Sequence, residues 1–133
     1  MPLILYTLFA VSFLPILLAW VGGYFRFRQF ETFDNHYPRL QQAQMQGIGA
    51  RVQAAQMNAW EALIIYTAVN LIAFASGLDL NTLDTVACAY LGLRILHGVF
   101  YLADWAWTRS SVFALGMFCC LYIVYRAATH AAV

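Results

Sequence analysis

Three polar side chains share one face of an otherwise apolar stretch. In RVQAAQMNAWEALIIYTAVN, residues 51–70, Arg51, Asn58 and Glu61 stand at i, i+7 and i+10, which a helix turns to the same side. A second set, Tyr90, Arg94, His97, Tyr101 and Asp104, follows at steps of four, three, four and three. That spacing draws an unbroken polar stripe along a helix. Such groups can pair with one another across two helices, charge against charge and donor against acceptor. An ionisable side chain in hydrocarbon costs about 2.5–3.5 kcal/mol on insertion scales, so each one must face a partner or a watery cavity.

The surroundings of these residues are apolar. Hydrophobic residues make up 63% of the 133 and charged residues only 10%, which is the composition of a membrane protein. Four spans of about 20 residues would use most of the chain, leaving no room for a separate soluble domain. The formal charge of +1 is too small, and the arginines too scattered, for a nucleic-acid surface. Cys88, Cys119 and Cys120 lie in apolar stretches without metal-ligand spacing and read as buried thiols, with no metal site expected.

The spans fall at about 3–25, 52–75, 83–105 and 112–128, an all-α, multi-pass four-helix bundle forming a single domain over residues 1–133. The first lacks the basic start and small-residue cleavage site of a secretory signal and is kept as structure, with Pro15 expected to kink it. RFRQFETFDNHYPRLQQAQMQGIGAR reads as a long polar loop closed by Gly47 and Gly49. In SGLDLNTLD, Gly77 ends the second span and Asn81 or Thr82 starts the third. WAWTRSS is the turn before the fourth. No lysine occurs, and Arg26, Arg28, Arg39 and Arg51 in the first loop, with Arg109 in the third, outnumber the cations elsewhere. The positive-inside rule therefore sets loops one and three in the cytoplasm and both termini on the opposite side, with Arg126 as one dissenting charge.

Depth then suggests a pairing. Glu61 lies roughly 15 Å and Arg94 roughly 16–18 Å inside the cytoplasmic ends of spans two and three. The spacing predicts a Glu61–Arg94 ion pair, with Asn58, His97 and Tyr101 nearer the mouth. Arg26 and Arg28 flank a span end, where topology alone would put them or where they could bind carboxylates.

These segments resemble the family of membrane-associated proteins in eicosanoid and glutathione metabolism, MAPEG. RVQAAQMNAWE is similar to that family's second-helix signature, an arginine-containing turn before N-x-x-E, matched by Asn58 and Glu61. RILHGVFY is similar to its third-helix R-x-x-[HY]-x-x-x-Y, matched by Arg94, His97 and Tyr101, and TRSS is similar to the arginine-serine turn before helix four, at Arg109 and Ser110. The resemblance covers almost the whole chain. It implies a homotrimer in the membrane, in contact with lipids, with glutathione bound between subunits on the cytoplasmic side and a lipophilic electrophile as second substrate. Transferase, peroxidase and isomerase activities all occur in such proteins. By the resemblance, Arg51, Asn58, Glu61, Arg94, His97, Tyr101, Arg26 and Arg28 are the candidate glutathione ligands. Arg109 is the candidate catalytic residue: a permanent cation is no base, but it can hold the glutathione thiolate and lower its pKa.

The match has two departures. Glutathione-using members commonly carry an arginine four residues before the asparagine, where this chain has Ala54, with Arg51 one turn further out on the same face. The step from Tyr101 to Arg109 also differs by about one residue. A second reading is therefore a bundle of this type that has lost glutathione and serves lipid binding or interaction. A third, a small proton-coupled exporter with a buried glutamate, fits poorly, because Glu61 is in the second span and the loop charges are strongly biased.

Overall fold

The computed structural model describes residues 1–132. Among them every regular element is helical: α1 (Leu3–Phe30), the short α2 (Pro38–Ala43), α3 (Gly47–Ala75), a 3-10 turn (Leu80–Leu83), α4 (Asp84–Leu102) and α5 (Ala106–Ala131). Four segments are long and apolar enough to cross a membrane, Leu3–Phe30, Gly47–Ala75, Leu80–Leu102 and Ala106–Ala131. The bundle is the expected one. α1 packs chiefly on α3 and α4 on α5, and the two pairs are joined where α4 meets α1 and α3 and where α5 meets α3.

The helix ends differ from the apolar runs. α1 continues to Phe30, α2 covers Pro38–Ala43 and α3 starts at Gly47, so most of the segment read as a loop is helix. A run of apolar residues marks the part of a helix in hydrocarbon, and polar turns beyond it stay helical because their backbone bonds are internal. Gly49 therefore sits inside α3 and does not close a loop. A Cβ there would meet the Met45 sulfur at 3.3 Å and the Phe25 Cβ at 3.5 Å, so its lack of a side chain lets the first turn of α3 lie close on α1. Pro15 is buried within one continuous α1.

At the far end of the bundle Gly77 takes the left-handed conformation (φ +75°). The next element is then capped by Asp79, not by Asn81 or Thr82: the Asp79 carboxylate accepts from the Asn81 backbone N–H at 3.1 Å. At the opposite end α4 stops at Leu102, the turn is only Ala103–Trp105, and Asp104 takes φ 61°. That turn is tighter than WAWTRSS suggests. Arg109 therefore lies in the first turn of α5, its N–H bonded to the Trp105 carbonyl at 2.9 Å.

The tightly packed core occupies the half of the bundle remote from the α1–α3 loop. Ile4, Tyr66, Leu83, Ala87 and Ile123 are each fully covered there. Tyr66 of α3 stacks on Tyr90 of α4 with centroids 4.0 Å apart. Their hydroxyls do not go unpaired: Tyr66 shares a 2.9 Å hydrogen bond with Thr7 of α1, and Tyr90 donates to the Ala62 carbonyl at 3.1 Å. These bonds tie three helices together within hydrocarbon, where an unmade one is costly. Of the thiols, Cys120 is buried and Cys119 half-buried, but Cys88 is exposed on the outer face of α4, contrary to its reading as a buried thiol. A thiol is apolar enough to face lipid, so an apolar neighbourhood in sequence does not distinguish the two fates.

Candidate functional site

The polar stripe of α4 divides by depth. Tyr90 belongs to the core just described; Arg94 and His97 are buried at 6% and 4% exposure; Tyr101 is half-buried; and Asp104 lies past the helix end, exposed. Facing them on α3 are Asn58, half-buried, and Glu61, exposed on the isolated subunit.

Glu61 and Arg94 do not form the direct ion pair that their depths suggest. Arg94 Nη2 donates to Asn58 Oδ1 at 2.8 Å, and Asn58 Nδ2 reaches Glu61 Oε2 at 3.5 Å. An amide thus stands between the two charges, accepting from the cation and donating to the anion, which suits its two ends. The i, i+3 step from Asn58 to Glu61 puts the amide on the Arg94 side. Glu61 and Arg94 also line a small cavity of about 60 Å³ with Tyr90, Phe113 and Cys120. That is space for a few ordered waters.

Arg51 has another partner. Its guanidinium lies 3.7 Å from the Asp104 carboxylate, the one ion pair within 4 Å among the described residues. It ties the first turns of α3 to the α4–α5 turn. Arg26 lies over the Phe33 ring, 4.7 Å from its centroid, and Arg28 lines a separate depression with Gln29 and Gln46. Within one subunit, then, Arg26, Arg28 and Arg51 stand apart from the residues that converge.

The convergence is around Arg109. The Asp104 turn folds the first turn of α5 back against the last turns of α4, and the Arg109 guanidinium lies on the face of Tyr101, 4.1 Å from the ring centroid. Tyr101 meets the His97 ring edge-on at 5.3 Å, and His97 also contacts Phe113 at 6.1 Å. Asn58, His97, Tyr101, Arg109, Ser110 and Phe113 together line an open depression of about 230 Å³. Four of the residues singled out in the sequence, on three helices, and the neighbouring Ser110 come together here. Phe113 was missed; it stands one helical turn after Arg109, a signal that only the length of α5 makes readable.

Chemically, the depression offers a fixed cation and a set of hydrogen-bonding side chains. The Arg109 charge has no carboxylate within 4 Å among the described residues, and it lies at the N-terminus of α5, where the helix dipole adds to its attraction for an anion. Packing on Tyr101 restricts the guanidinium and leaves its edge donors available. Behind His97, on the α1 side, lies a cavity of about 180 Å³ walled by Leu14, Leu17, Ala59, Ile95 and Val99. The first space suits an anion with hydrogen-bonding groups, and the second suits hydrocarbon.

No curated protein and no solved structure matches the chain significantly. The model of the MAPEG family matches residues 3–129, a span that includes all four membrane-crossing segments nearly entire and every side chain of the depression. An integral, multi-pass, four-helix membrane protein of this kind is what that family comprises, and the chain belongs to the MAPEG family.

Proposed function

We propose that this protein is a glutathione-dependent enzyme that brings the glutathione thiolate to a lipophilic electrophile entering from the bilayer. The observation that carries the reading is Arg109, a guanidinium with no carboxylate within 4 Å among the described residues, packed on Tyr101 beside Asn58, His97 and Ser110. In this reading Arg109 holds the thiolate by charge, so the thiol releases its proton to water and the sulfur keeps the electron pair that attacks the electrophile. Asn58 and Glu61 address the ammonium and amide of the γ-glutamyl end. His97 and Tyr101 hold the peptide by hydrogen bonds, and Arg94 acts through Asn58 by fixing its orientation. Family membership supports glutathione or eicosanoid metabolism as the setting.

The family resemblance implies a homotrimer, and Glu61 supports a covering neighbour. Glu61 is exposed on the isolated subunit, well inside a membrane-crossing helix, and a carboxylate facing lipid at that depth is disfavoured by about 2.5–3.5 kcal/mol. A neighbouring subunit that covers Glu61 would remove this cost, bringing its own Arg26, Arg28 or Arg51 within reach of the bound peptide. The arginine bias supports a cytoplasmic mouth for the depression.

A second reading has its own observation. Ala54 stands where an arginine is common, and Arg51, the nearest replacement, is engaged with Asp104. If that pair never opens, the bundle serves as a lipid-binding or interaction protein without glutathione. The two readings separate in the ultraviolet absorbance of bound thiolate. Glutathione added to the detergent-solubilised protein at neutral pH should produce a thiolate band that Arg109→Gln abolishes. A wild-type protein with no such band favours the second reading.

A further inference from the structure

Arg126 is the cation that the loop-charge bias leaves unexplained, at the membrane boundary opposite the other loop arginines, and the depression around Arg109 makes no use of it. Its guanidinium donates to the Tyr122 hydroxyl at 3.0 Å and has no carboxylate within 4 Å among the described residues, although Asp79 and Asp84 belong to the same end of the bundle. Tyr122 in turn lines a long open groove of about 580 Å³ between α4 and α5, walled by Thr85, Ala89 and Leu93 on one side and Leu115 and Phe118 on the other. This groove is not part of the depression. Leu115, Phe118 and Tyr122 lie roughly 140–180° around α5 from Phe113, so the groove faces away from the side that carries Arg109.

Its polarity runs in one direction. Thr85 and Tyr122 stand toward the boundary that Arg126 marks, and Leu93 and Leu115 toward the bilayer centre. Arg126 lies roughly 16 Å along α5 from Leu115, about the hydrocarbon depth of one leaflet. A groove that is apolar at mid-bilayer and cationic at the boundary has the orientation of a lipid in place: acyl chain inward, anionic head outward. Tyr122 holds the guanidinium at the groove's outer end, where a phosphate would sit.

We propose that the α4–α5 groove is a binding site for an anionic phospholipid, with an acyl chain against Ala89, Leu93 and Leu115 and its phosphate on Arg126, in the leaflet opposite the depression. This goes beyond the proposed enzyme activity and does not depend on it. It also gives Arg126 a reason to stand on the side that the positive-inside rule disfavours, because its charge is met by a bound lipid.

The test is lipid retention by the full chain. Detergent-solubilised protein is exposed to equal amounts of phosphatidylglycerol and phosphatidylcholine with identical chains, washed, and its bound lipid extracted and weighed by mass spectrometry. Wild type should retain phosphatidylglycerol over phosphatidylcholine by roughly fivefold, the worth of one interfacial cation. Arg126→Gln should lose that preference, Arg126→Lys should keep it, and Ala89→Leu, which fills the groove, should lower the retention of both lipids. Equal retention by the wild type, or an unchanged preference in Arg126→Gln, overturns the proposal. So does an Ala89→Leu protein that keeps its lipid but comes apart into smaller oligomers, since the groove would then be covered by a second copy of the chain.

Discussion

In the proposed reaction two side chains, Arg109 and Asn58, carry most of the chemistry, and they do so differently. Arg109 is a charge held against the Tyr101 ring. Removing one such preorganised donor from a developing or resting anion typically costs a hundredfold or more in rate, so Arg109→Gln should lower kcat/KM for glutathione conjugation by about that factor while leaving thermal stability unchanged. Asn58 has two roles, because it also separates Glu61 from Arg94. Asn58→Ala leaves a buried guanidinium without its acceptor and should destabilise the fold by about 1–3 kcal/mol, seen as a lower Tm in detergent. At this scale the sequence was legible in its types and only partly in its partners. Helical periodicity placed Asn58, Glu61, Arg94 and His97 in one neighbourhood, but depth along an axis does not say which of two groups one turn apart is nearer to a third. Hence the expected direct ion pair proved to be bridged.

At the scale of elements, the site depends on one turn. Ala103–Trp105 reverses the chain in three residues because Asp104 adopts φ 61°, a conformation that Asp and Asn tolerate and β-branched residues do not. Asp104→Asn should fold as the wild type does. Asp104→Val should cost about 1–3 kcal/mol and loosen Arg109 from Tyr101, so conjugation would fall along with stability. The Arg51–Asp104 pair adds little by itself: it is partly exposed, and Arg51→Gln should shift stability by no more than about 1 kcal/mol. The turn was hard to read in advance. Its residues, Ala-Asp-Trp, contain neither glycine nor proline, and the aromatic residues around it look like an interfacial belt. The spans themselves were easy, since length and hydropathy mark the hydrocarbon-embedded part of each helix; their polar extensions, such as the start of α3 at Gly47, were not.

For the whole molecule, the two halves of the bundle do separate jobs. The half remote from the α1–α3 loop is packed around Tyr66 and Tyr90 and holds the helices in register; the other half has cavities, buried charge and the open depression. A carboxylate left uncovered at Glu61, within a membrane-crossing helix, is costly in a single subunit. If the proposed homotrimer covers it, light scattering with detergent correction should give three copies per particle, and a monodisperse monomer would leave Glu61 without a covering subunit. Whether the depression around Arg109 and Asn58 receives glutathione is decided by calorimetry of glutathione binding to the solubilised wild-type protein, with Asn58→Ala and Arg51→Ala beside it. Saturable binding is expected in the wild type and its loss in Asn58→Ala, with Arg51→Ala reporting whether Arg51 stands in for the arginine absent at Ala54. A wild-type protein that shows no saturable binding does not use the depression for glutathione.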